Sequence, residues 1–483
     1  MAAITDIKSA LPPTCDVSTP SNDDDVHKFL SKRWMTLGPS TLPAAAVVPS
    51  TEDDVVAVVR FAAANGLRVL PSCGACGGVV IINNKTLYLD MEKVRSVDVN
   101  TEARTVTLGG GALTGDVQPV VTSRGFYTGW PNIGIVGMVG NVLLGGINLL
   151  MVIMGHACDN LVGARLVTAS GEIVEVSASS SGSKRDLYNV LKGAGAGFGV
   201  VLSLTLRIYP TTDLSLVDGN KISEVVAMFA KKDFDAAAKL WEILSQSKDH
   251  GPLSAGFVLM AAPPTMSNAG EPIIVAQGSY PGPASEAEKA FAPWNAPEIQ
   301  EKAIMVKPGL TDLNTMNAQR DAMTTKGKNM DCYNGLVKEL SAETFLRGAN
   351  RFAAFVEAYG ANIGRTMTVF QSMPSATLTS IDGAGESFMC HRDRRFLVQT
   401  MAWDLKPEHI PAGVAYGKDV LNIARSEDKE KGVPNAILGG NGRVQTDMAE
   451  IYSAHKLEIL RRVKKEWDPN GVFWSPAVDG WVY

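Results

Sequence analysis

LPSCGACGG, residues 70–78, is a run of small residues with a single proline near its start. Residues 67–70 form a short, mostly apolar stretch that predicts a strand leading into this run. Few Cβ atoms stand in such a loop, so its backbone amides can approach a flat or anionic ligand closely. The stretch therefore predicts a ligand-binding loop at the end of a strand.

The residues before this loop predict a β-α-β unit. Residues 45–48 are apolar and predict a first strand. Ser50 or Thr51 can cap a helix whose first turn carries three acidic side chains, and Asn-Gly at 65–66 ends that helix. Because the chain then returns as the strand at 67–70, strand, helix and strand alternate.

The predicted secondary structure after the loop changes near Thr211, which divides the rest of the chain into two parts. Short strands are predicted up to Pro210, including a hairpin whose turn is Ser-Gly at 170–171. Beyond Thr211, helices alternate with longer strands, which predicts an antiparallel sheet with helices on one face. We therefore predict an α+β fold of two domains. Its segments are an N-terminal extension at 1–40, a first domain at 41–212, a second domain at 213–445 and a C-terminal segment at 446–483.

The composition of the chain excludes several classes of protein. At 483 residues it is too long for a single hydrophobic core, so two domains are expected. A hydrophobic content of 45% and a charged content of 20% are ordinary for a globular protein. The net charge of -5 offers no basic surface for nucleic acid or anionic lipid. Six cysteines in a chain of this length do not make a disulfide scaffold.

Two segments bear on secretion and membranes. Residues 1–15 contain no apolar core of signal-peptide length, so a cytoplasmic protein is expected. Residues 133–154 carry no charge and are long enough to cross a bilayer. Their glycines and asparagines favour a buried, turning backbone over a helix in lipid. No contact with a membrane is expected.

Several later motifs occur in a definite order along the chain, although each carries little information alone. They are DNLV at 159–162, VTASGE at 167–172, GAGAGFGVV at 193–201, and DPN at 468–470 with Phe473. Together with the loop at 70–78, they resemble the berberine-bridge-enzyme-like FAD-linked oxidoreductases, especially the fungal members. The resemblance covers nearly the whole chain and is strongest over 44–210 and 452–476.

The resemblance implies a two-domain PCMH-type FAD-binding fold, in which an antiparallel sheet forms the substrate domain. The FAD-binding domain would be 41–212 and the substrate domain 213–445, with 446–483 returning to the FAD-binding domain. The pyrophosphate of FAD would lie on amides around 137–146 and the ring near 73–77. The implied cofactor-binding residues are Cys73, Gly74, Ala75, Cys76, Gly77, Gly137, Gly140, Asn141, Gly145, Gly146, Asn148, Asp159, Asn160 and Val201.

The sequence departs from the family pattern where the cofactor is held. Cys76 stands where the family has a histidine bonded covalently to the flavin, and Trp130 stands where a linking cysteine would be. A core position is the default expectation for Trp130. Ile147 replaces the last glycine of a Leu-Gly-Gly-Gly loop, where a branched side chain narrows the approach of a ligand. These departures imply FAD held without a covalent link, with weak binding or loss of FAD as alternatives.

Two residues are candidates for catalysis. Asn441 is the remaining candidate from an Asn-Tyr-x-Asp motif that the family often carries beside the flavin. His391 lies in a His-Arg-Asp run similar to one in fungal relatives. A structural role for this run is favoured, with Arg392 and Asp393 forming an ion pair. Packing is likewise favoured for His156 over a place at the flavin edge.

Other interpretations of the same residues are weaker. Cys73 and Cys76 match a Cys-x-x-Cys dithiol, but that motif acts at a helix N-terminus, and glycines follow here. No second pair of cysteines or histidines in the sequence complements them as zinc ligands. GAGAGFG at 193–199 lacks the Gly-x-Gly-x-x-Gly spacing of a nicotinamide site. Neither a metal nor a nicotinamide cofactor is expected.

Two classes of function stay open. The first is FAD-dependent two-electron oxidation of a hydrophobic small molecule, for which the resemblance implies a fungal secondary-metabolite pathway. The second is a non-redox cyclase, as in Diels–Alder reactions, or an isomerase on the same scaffold. A catalytically inactive binding protein is a third alternative. The oxidation is the function that we predict, and the sequence leaves the substrate and the oligomeric state open.

Overall fold

A computed structural model of the chain describes residues 7–20, 23–34, 42–78, 80–246, 251–441 and 446–480. The strands are β1 (Asp16–Ser18), β2 (Ala45–Val48), β3 (Arg68–Ser72), β4 (Thr86–Asp90), β5 (Val97–Asn100), β6 (Thr105–Gly109), β7 (Phe126–Tyr127), β8 (Leu161–Val167), β9 (Ile173–Ser177), β10 (Val200–Arg207), β11 (Tyr209–Pro210), β12 (Lys221–Ala230), β13 (Ser254–Ala261), β14 (Pro272–Tyr280), β15 (Met305–Asp312), β16 (Met330–Val337), β17 (Met367–Ser372) and β18 (Phe396–Trp403). The helices are α1 (Ile7–Ala10), α2 (Asp23–Ser31), α3 (Glu52–Asn65), α4 (Thr114–Thr122), α5 (Met138–Leu143), α6 (Met151–Met154), α7 (Gly182–Leu191), α8 (Phe234–Gln246), α9 (Ala284–Ala290), α10 (Pro297–Gln300), α11 (Ala318–Met323), α12 (Ala342–Tyr359), α13 (Ser375–Ser380), α14 (Ile410–Ala424), α15 (Ser426–Glu430), α16 (Ala454–Trp467) and α17 (Pro476–Asp479).

The predicted β-α-β unit is confirmed as β2, α3 and β3. Thr51 caps α3: its hydroxyl oxygen accepts from the Asp54 N–H, and the Asp54 carboxylate accepts from the Thr51 N–H. Gly66 ends the helix with φ at 63°, a conformation that favours glycine. Burial alone would raise the pKa of Asp54, but hydrogen bonds from Thr14 and nearby backbone amides hold it below its usual value.

The first sheet has the strand order β1-β2-β4-β3. β2, β4 and β3 run parallel, and β1 pairs antiparallel with β2 at the edge. β1 lies in the predicted N-terminal extension, and this short strand completes the sheet. Phe29 and Leu30 of the same extension lie in α2.

The second sheet has the order β5-β6-β10-β8-β9 and is antiparallel. The predicted hairpin is confirmed as β8 and β9, and Gly171 in its turn has φ at 77°. The uncharged residues at 133–154 form the short helices α5 and α6, with glycine turns around them, instead of one long helix. In the described ranges, no helix combines the length and the apolar character needed to cross a bilayer.

The described strands of the second domain form an antiparallel sheet of seven strands in the order β15-β12-β14-β13-β17-β18-β16. Side chains alternate between its two faces. One face packs against α8, α12 and α14 through an aromatic cluster that includes Trp241, Phe257, Phe345 and Phe370. The opposite face borders a cavity towards the first domain. The predicted α+β class, with helices on one face of an antiparallel sheet, is confirmed.

The C-terminal segment returns to the first sheet. After α16, the Asp468 carboxylate accepts hydrogen bonds from the Val472 and Phe473 N–H groups, both at 2.8 Å. Buried Lys464 pairs with Asp468 at 2.7 Å. The Val69 N–H donates to the Val472 carbonyl oxygen at 2.8 Å, which adds this segment to the edge of β3. The DPN motif therefore fastens the end of the chain beside the glycine-rich loop.

A buried ion pair joins the two domains. Arg392 donates two hydrogen bonds to the Asp159 carboxylate, at 2.6 and 2.9 Å, and both side chains are buried. Asp159 also accepts from the His156 N–H, which fixes the turn before β8. The predicted ion pair between Arg392 and Asp393 is wrong, because Arg392 reaches across the domain boundary while Asp393 pairs with Lys338.

We expect Arg392→Met to destabilise the protein by about 3–5 kcal/mol, because the Asp159 carboxylate would stay buried without its partner. The matched change Arg462→Met removes an exposed pair with Asp186 and should cost about 1 kcal/mol or less. Urea unfolding followed by circular dichroism measures both free energies. Equal losses in the two variants would contradict the role of the buried pair.

Candidate functional site

A cavity of about 1190 Å³ lies between the loops of the first domain and the helix-free face of the seven-stranded sheet. Pockets for a single small molecule usually measure about 300–1000 Å³. The volume is therefore large enough for a nucleotide-sized ligand together with a second small molecule. Because both domains supply walls, the contacts that join the domains also set the shape of the cavity.

The glycine-rich loop forms one wall, where it lies in direct contact with the turn before α5. A Cβ atom added to Gly74 would lie 2.4 Å from a backbone carbonyl oxygen of that turn. One added to Gly137 would lie 2.5 Å from Cys73 Sγ. Ala75 has φ at 54°, the left-handed region that residues with a Cβ atom rarely adopt. The two segments can approach this closely only because glycine stands at both contact points.

Other backbone positions in the same wall face the cavity directly. Cβ atoms added to Gly77 and Gly140 would have no other atom within 4 Å, so a ligand can reach the backbone there. The Asn141 Nδ2 group is buried and has no hydrogen-bond partner in the described part of the chain. Buried donors of this kind are normally satisfied. A ligand with phosphate or carbonyl oxygens would satisfy it.

The seven-stranded sheet supplies a mostly apolar wall. Its cavity-lining apolar side chains include Val226, Val258, Met260, Val275, Met367, Val369, Met401 and Trp403. Gln277 on β14 and Gln371 on β17 both pair with Gly256 on β13, so a gap lies between the two carboxamide side chains. Sequence reasoning missed this surface, although the apolar residues recur at every second position along β13 and β17. The surface fits a largely apolar ligand with a few polar atoms.

Two tryptophans from distant parts of the chain close the cavity beside the glycine-rich loop. Trp34, which follows α2, stacks on Trp403 with ring centroids 5.7 Å apart. The Trp34 N–H donates to the Ala75 carbonyl oxygen at 3.0 Å, so the N-terminal segment crosses the loop. Cys76 packs against the same two rings. No local signal predicts this wall, because it depends on contacts between residues far apart in the sequence.

Charged side chains also line the cavity. Glu224 on β12 accepts a hydrogen bond from the Thr311 hydroxyl group. Arg320 on α11 donates to the Met316 carbonyl oxygen at 3.1 Å. Burial lowers the pKa of Arg320, and the charge of Glu224 acts against that shift. A carboxylate and a guanidinium group therefore share the cavity.

Comparison with known proteins identifies a cofactor for the first domain. Residues 43–177 match the family described as FAD binding domain. The chain is 29% identical to the FAD-linked oxidoreductase azaL of Aspergillus niger, over 73% of this chain and 72% of that protein. It is 27% identical to the FAD-linked oxidoreductase hasG of Aspergillus fumigatus, over 93% of this chain and 94% of that protein. The solved structure of BBE-like 1 from Physcomitrella patens matches with a TM-score of 0.80 at 18% identity, over 99% of this chain and 100% of that one.

The chain is an FAD-linked oxidoreductase with the fold of the berberine-bridge-enzyme-like proteins. The predicted two-domain PCMH-type fold is confirmed, and FAD is the cofactor. The open backbone at Gly77 and Gly140, together with the unpaired Asn141 amide, fits the phosphate and carbonyl oxygens of FAD.

Most of the predicted cofactor-binding residues of this FAD-linked oxidoreductase lie together in the cavity wall. They are Cys73, Gly74, Ala75, Cys76, Gly77, Gly137, Gly140, Asn141, Gly146 and Val201. Four different segments of the first domain contribute them, and β3, β10 and α5 hold those segments in place. Their contact with FAD stays a prediction.

Four predicted residues lie behind this wall, and the structure does not support their contact with FAD. A Cβ atom on Gly145 would meet Met389 Sδ at 2.0 Å, so this glycine serves packing. Asn148 donates to the Gly155 carbonyl oxygen at 2.8 Å. Asp159 is taken up by the buried ion pair, and Asn160 donates to two carbonyl oxygens of the preceding turn. The side chains of Asn148, Asp159 and Asn160 thus support the turns behind the cavity wall.

The structure does not place His391, one of the two candidate catalytic residues, in the cavity wall. His391 is half-buried beside Glu450, its φ is 59°, and burial lowers its pKa. Asn441 ends a 3-10 turn whose glycines line the cavity, but its side chain lies outside the described residues. Trp130 is a buried core residue, as expected. His156 is also buried, and burial lowers its pKa to about 4.

The two cysteines of the glycine-rich loop are half-buried thiols that donate to backbone carbonyl oxygens. Cys76 Sγ donates to the Gly74 carbonyl oxygen at 3.3 Å, and Cys73 Sγ donates to the Ala112 carbonyl oxygen at 3.3 Å. Burial raises the pKa of Cys73 to about 12 and that of Cys76 to about 11. Since the thiolate is the nucleophilic form, both side chains are poor nucleophiles near neutral pH.

Ile147 lies in the cavity wall next to Gly146, where the family pattern has glycine. We expect Ile147→Gly to purify with more FAD per folded chain than the parent, because the change removes a branched side chain from the ligand approach. Flavin absorbance relative to protein measures the occupancy. Ile173→Gly, at an exposed position of β9, is the control and should leave occupancy unchanged. Equal or lower occupancy in Ile147→Gly would show that the loop already accommodates the branch.

Proposed function

We propose that this enzyme uses non-covalently held FAD to oxidise an apolar small molecule of secondary metabolism by two electrons. The observation that carries the proposal is a single cavity with two unlike walls. One wall offers the open backbone of Gly77 and Gly140, which suits a nucleotide, and the other is the apolar face of the sheet. The substrate would therefore lie between the cofactor and the sheet.

Non-covalent binding is supported by the residues at the two attachment points of the family. Cys76 directs its thiol to backbone carbonyl oxygens, and burial keeps the thiol protonated at neutral pH. Trp130 is buried in the core and carries no nucleophile. The cofactor would then be held by backbone amides, the Asn141 side chain and the packing of both walls.

Glu224 is our candidate for the proton acceptor in the substrate pocket. FAD supplies hydride acceptance and reoxidation by molecular oxygen when it is bound. The chain must supply orientation and a base for the proton that leaves the substrate. Of the described carboxylates that line the cavity, Asp312 is engaged by Asn220 and the Asn314 N–H, whereas Glu224 accepts only from the Thr311 hydroxyl group.

The mass of the product tests the proposed oxidation against the non-redox alternative. We expect a product two hydrogens lighter than its substrate, with oxygen consumed in step and no multiple turnover under nitrogen. Extracts of the producing organism supply candidate substrates, and mass spectrometry follows them. Full multiple turnover under nitrogen with an unchanged mass would exclude the oxidase and leave a cyclase or isomerase.

The same assay tests Glu224. We expect Glu224→Gln to slow product formation by about 10²-fold or more while its flavin content stays unchanged, as for loss of a general base. Glu242→Gln, on the exposed surface of α8, is the matched control and should react at the parental rate. Parental activity in Glu224→Gln would show that the proton leaves by another route.

A further inference from the structure

Among the described residues, Arg33 is a buried cation without a counterion. Its side chain is 5% exposed and lines the cavity. Its Nη2 group donates to the Gly77 carbonyl oxygen at 3.2 Å. Across the described ranges, no carboxylate oxygen lies within 4.0 Å of its guanidinium group; Asp90, on the neighbouring strand β4, instead faces Lys32 at 4.0 Å.

The side chain that bonds to Arg33 is neutral: it is Tyr88, while the charges of Asp90 and Lys326 act nearby without forming an ion pair with Arg33. Burial raises the pKa of Tyr88, and the charge of Arg33 acts against that rise, so the phenol stays protonated at neutral pH. Backbone carbonyl and hydroxyl groups solvate a guanidinium group only in part. A charge buried in this way is unfavourable unless an opposite charge compensates it. The uncompensated charge therefore points to an anionic ligand in the cavity.

The backbone holds Arg33 firmly at the glycine-rich loop. Its N–H donates to the Leu30 carbonyl oxygen at 3.0 Å, and its carbonyl oxygen accepts from the Gly327 N–H at 2.8 Å. The next residue, Trp34, donates to the Ala75 carbonyl oxygen and stacks on Trp403. Contacts on both sides thus fix the position of the cation before any ligand binds, which lowers the cost of ordering it.

We propose that Arg33 is a cofactor-binding residue that pairs with a negative charge of FAD. The inference rests on the proposed non-covalent FAD site in the same cavity. Two parts of FAD can supply that charge: the diphosphate group, and the flavin ring when it is reduced. Arginine suits either, because its planar guanidinium group forms paired hydrogen bonds with anionic oxygens and stays charged at all relevant pH values.

The test compares Arg33→Gln, Arg33→Lys and a matched control, Arg60→Gln. Arg60 makes the same kind of contact, from Nη2 to the Gly171 carbonyl oxygen at 3.1 Å, but lies away from the cavity. FAD and riboflavin are titrated into each apoprotein and followed by flavin fluorescence, and the midpoint potential of each holoprotein is measured. Unfolding of each apoprotein checks that the variants fold.

Pairing with the diphosphate predicts that Arg33→Gln raises the Kd for FAD at least tenfold and leaves the Kd for riboflavin unchanged. Pairing with the ring predicts an unchanged Kd for oxidised FAD and at least tenfold weaker binding of reduced FAD. That loss corresponds to a midpoint potential lower by about 30 mV for a two-electron couple. In both cases Arg33→Lys should stay closer to the parent than Arg33→Gln.

The apoprotein separates this role from a structural one. Because the charge is uncompensated without FAD, the Arg33→Gln apoprotein should be as stable as the parent or more stable. An Arg33→Gln apoprotein that is less stable than the parent would overturn the assignment. So would Arg33→Gln values that match those of Arg60→Gln, within twofold for each Kd and within about 10 mV for the midpoint potential. A parent chain that binds no FAD would instead overturn the proposed function itself.

Discussion

The close contact between the glycine-rich loop and the turn before α5 is the constraint on which the cavity depends. Gly74 and Gly137 let two backbone segments meet with no side chain between them. As a result, the next positions along each segment, Gly77 and Gly140, face open space. Side chains at the contact would push the segments apart and remove the wall on which a nucleotide can lie. The ion pair between Arg392 and Asp159 holds the second domain against this arrangement.

Local sequence patterns predicted the elements that build this wall. The cap at Thr51, the glycine at position 66 and the hairpin turn at Gly171 all act through neighbouring residues, so they can be recognised from the sequence. The partner of Arg392 could not be recognised in this way, because Asp159 lies 233 positions away. The roles of Arg33 and Trp34 could not be predicted from the sequence either, because they depend on where the short N-terminal helix α2 packs. Glu224 shows no local signal, because only the sheet register turns it towards the cavity.

The motif match predicted which segments line the cavity better than it predicted which side chains face it. Asp159 and Asn160 belong to a family motif, yet the structure uses both to support glycine turns behind the cavity wall. A sequence motif can therefore mark a turn that shapes a site as well as a residue that contacts the ligand. Cys76 gives the opposite case, because its residue type differs from the histidine of the family and signals altered chemistry in a loop that still lines the cavity.

The proposed function requires that both walls of the cavity hold FAD without a covalent bond. Acid precipitation of the purified holoprotein distinguishes the two modes of attachment, because denaturation destroys the packing and hydrogen bonds but leaves covalent links intact. If FAD is held without a covalent bond, all of the flavin absorbance appears in the supernatant. Flavin that stays with the pelleted protein, and that is lost from the pellet of Cys76→Ser, would disprove non-covalent binding and identify Cys76 as a covalent attachment point.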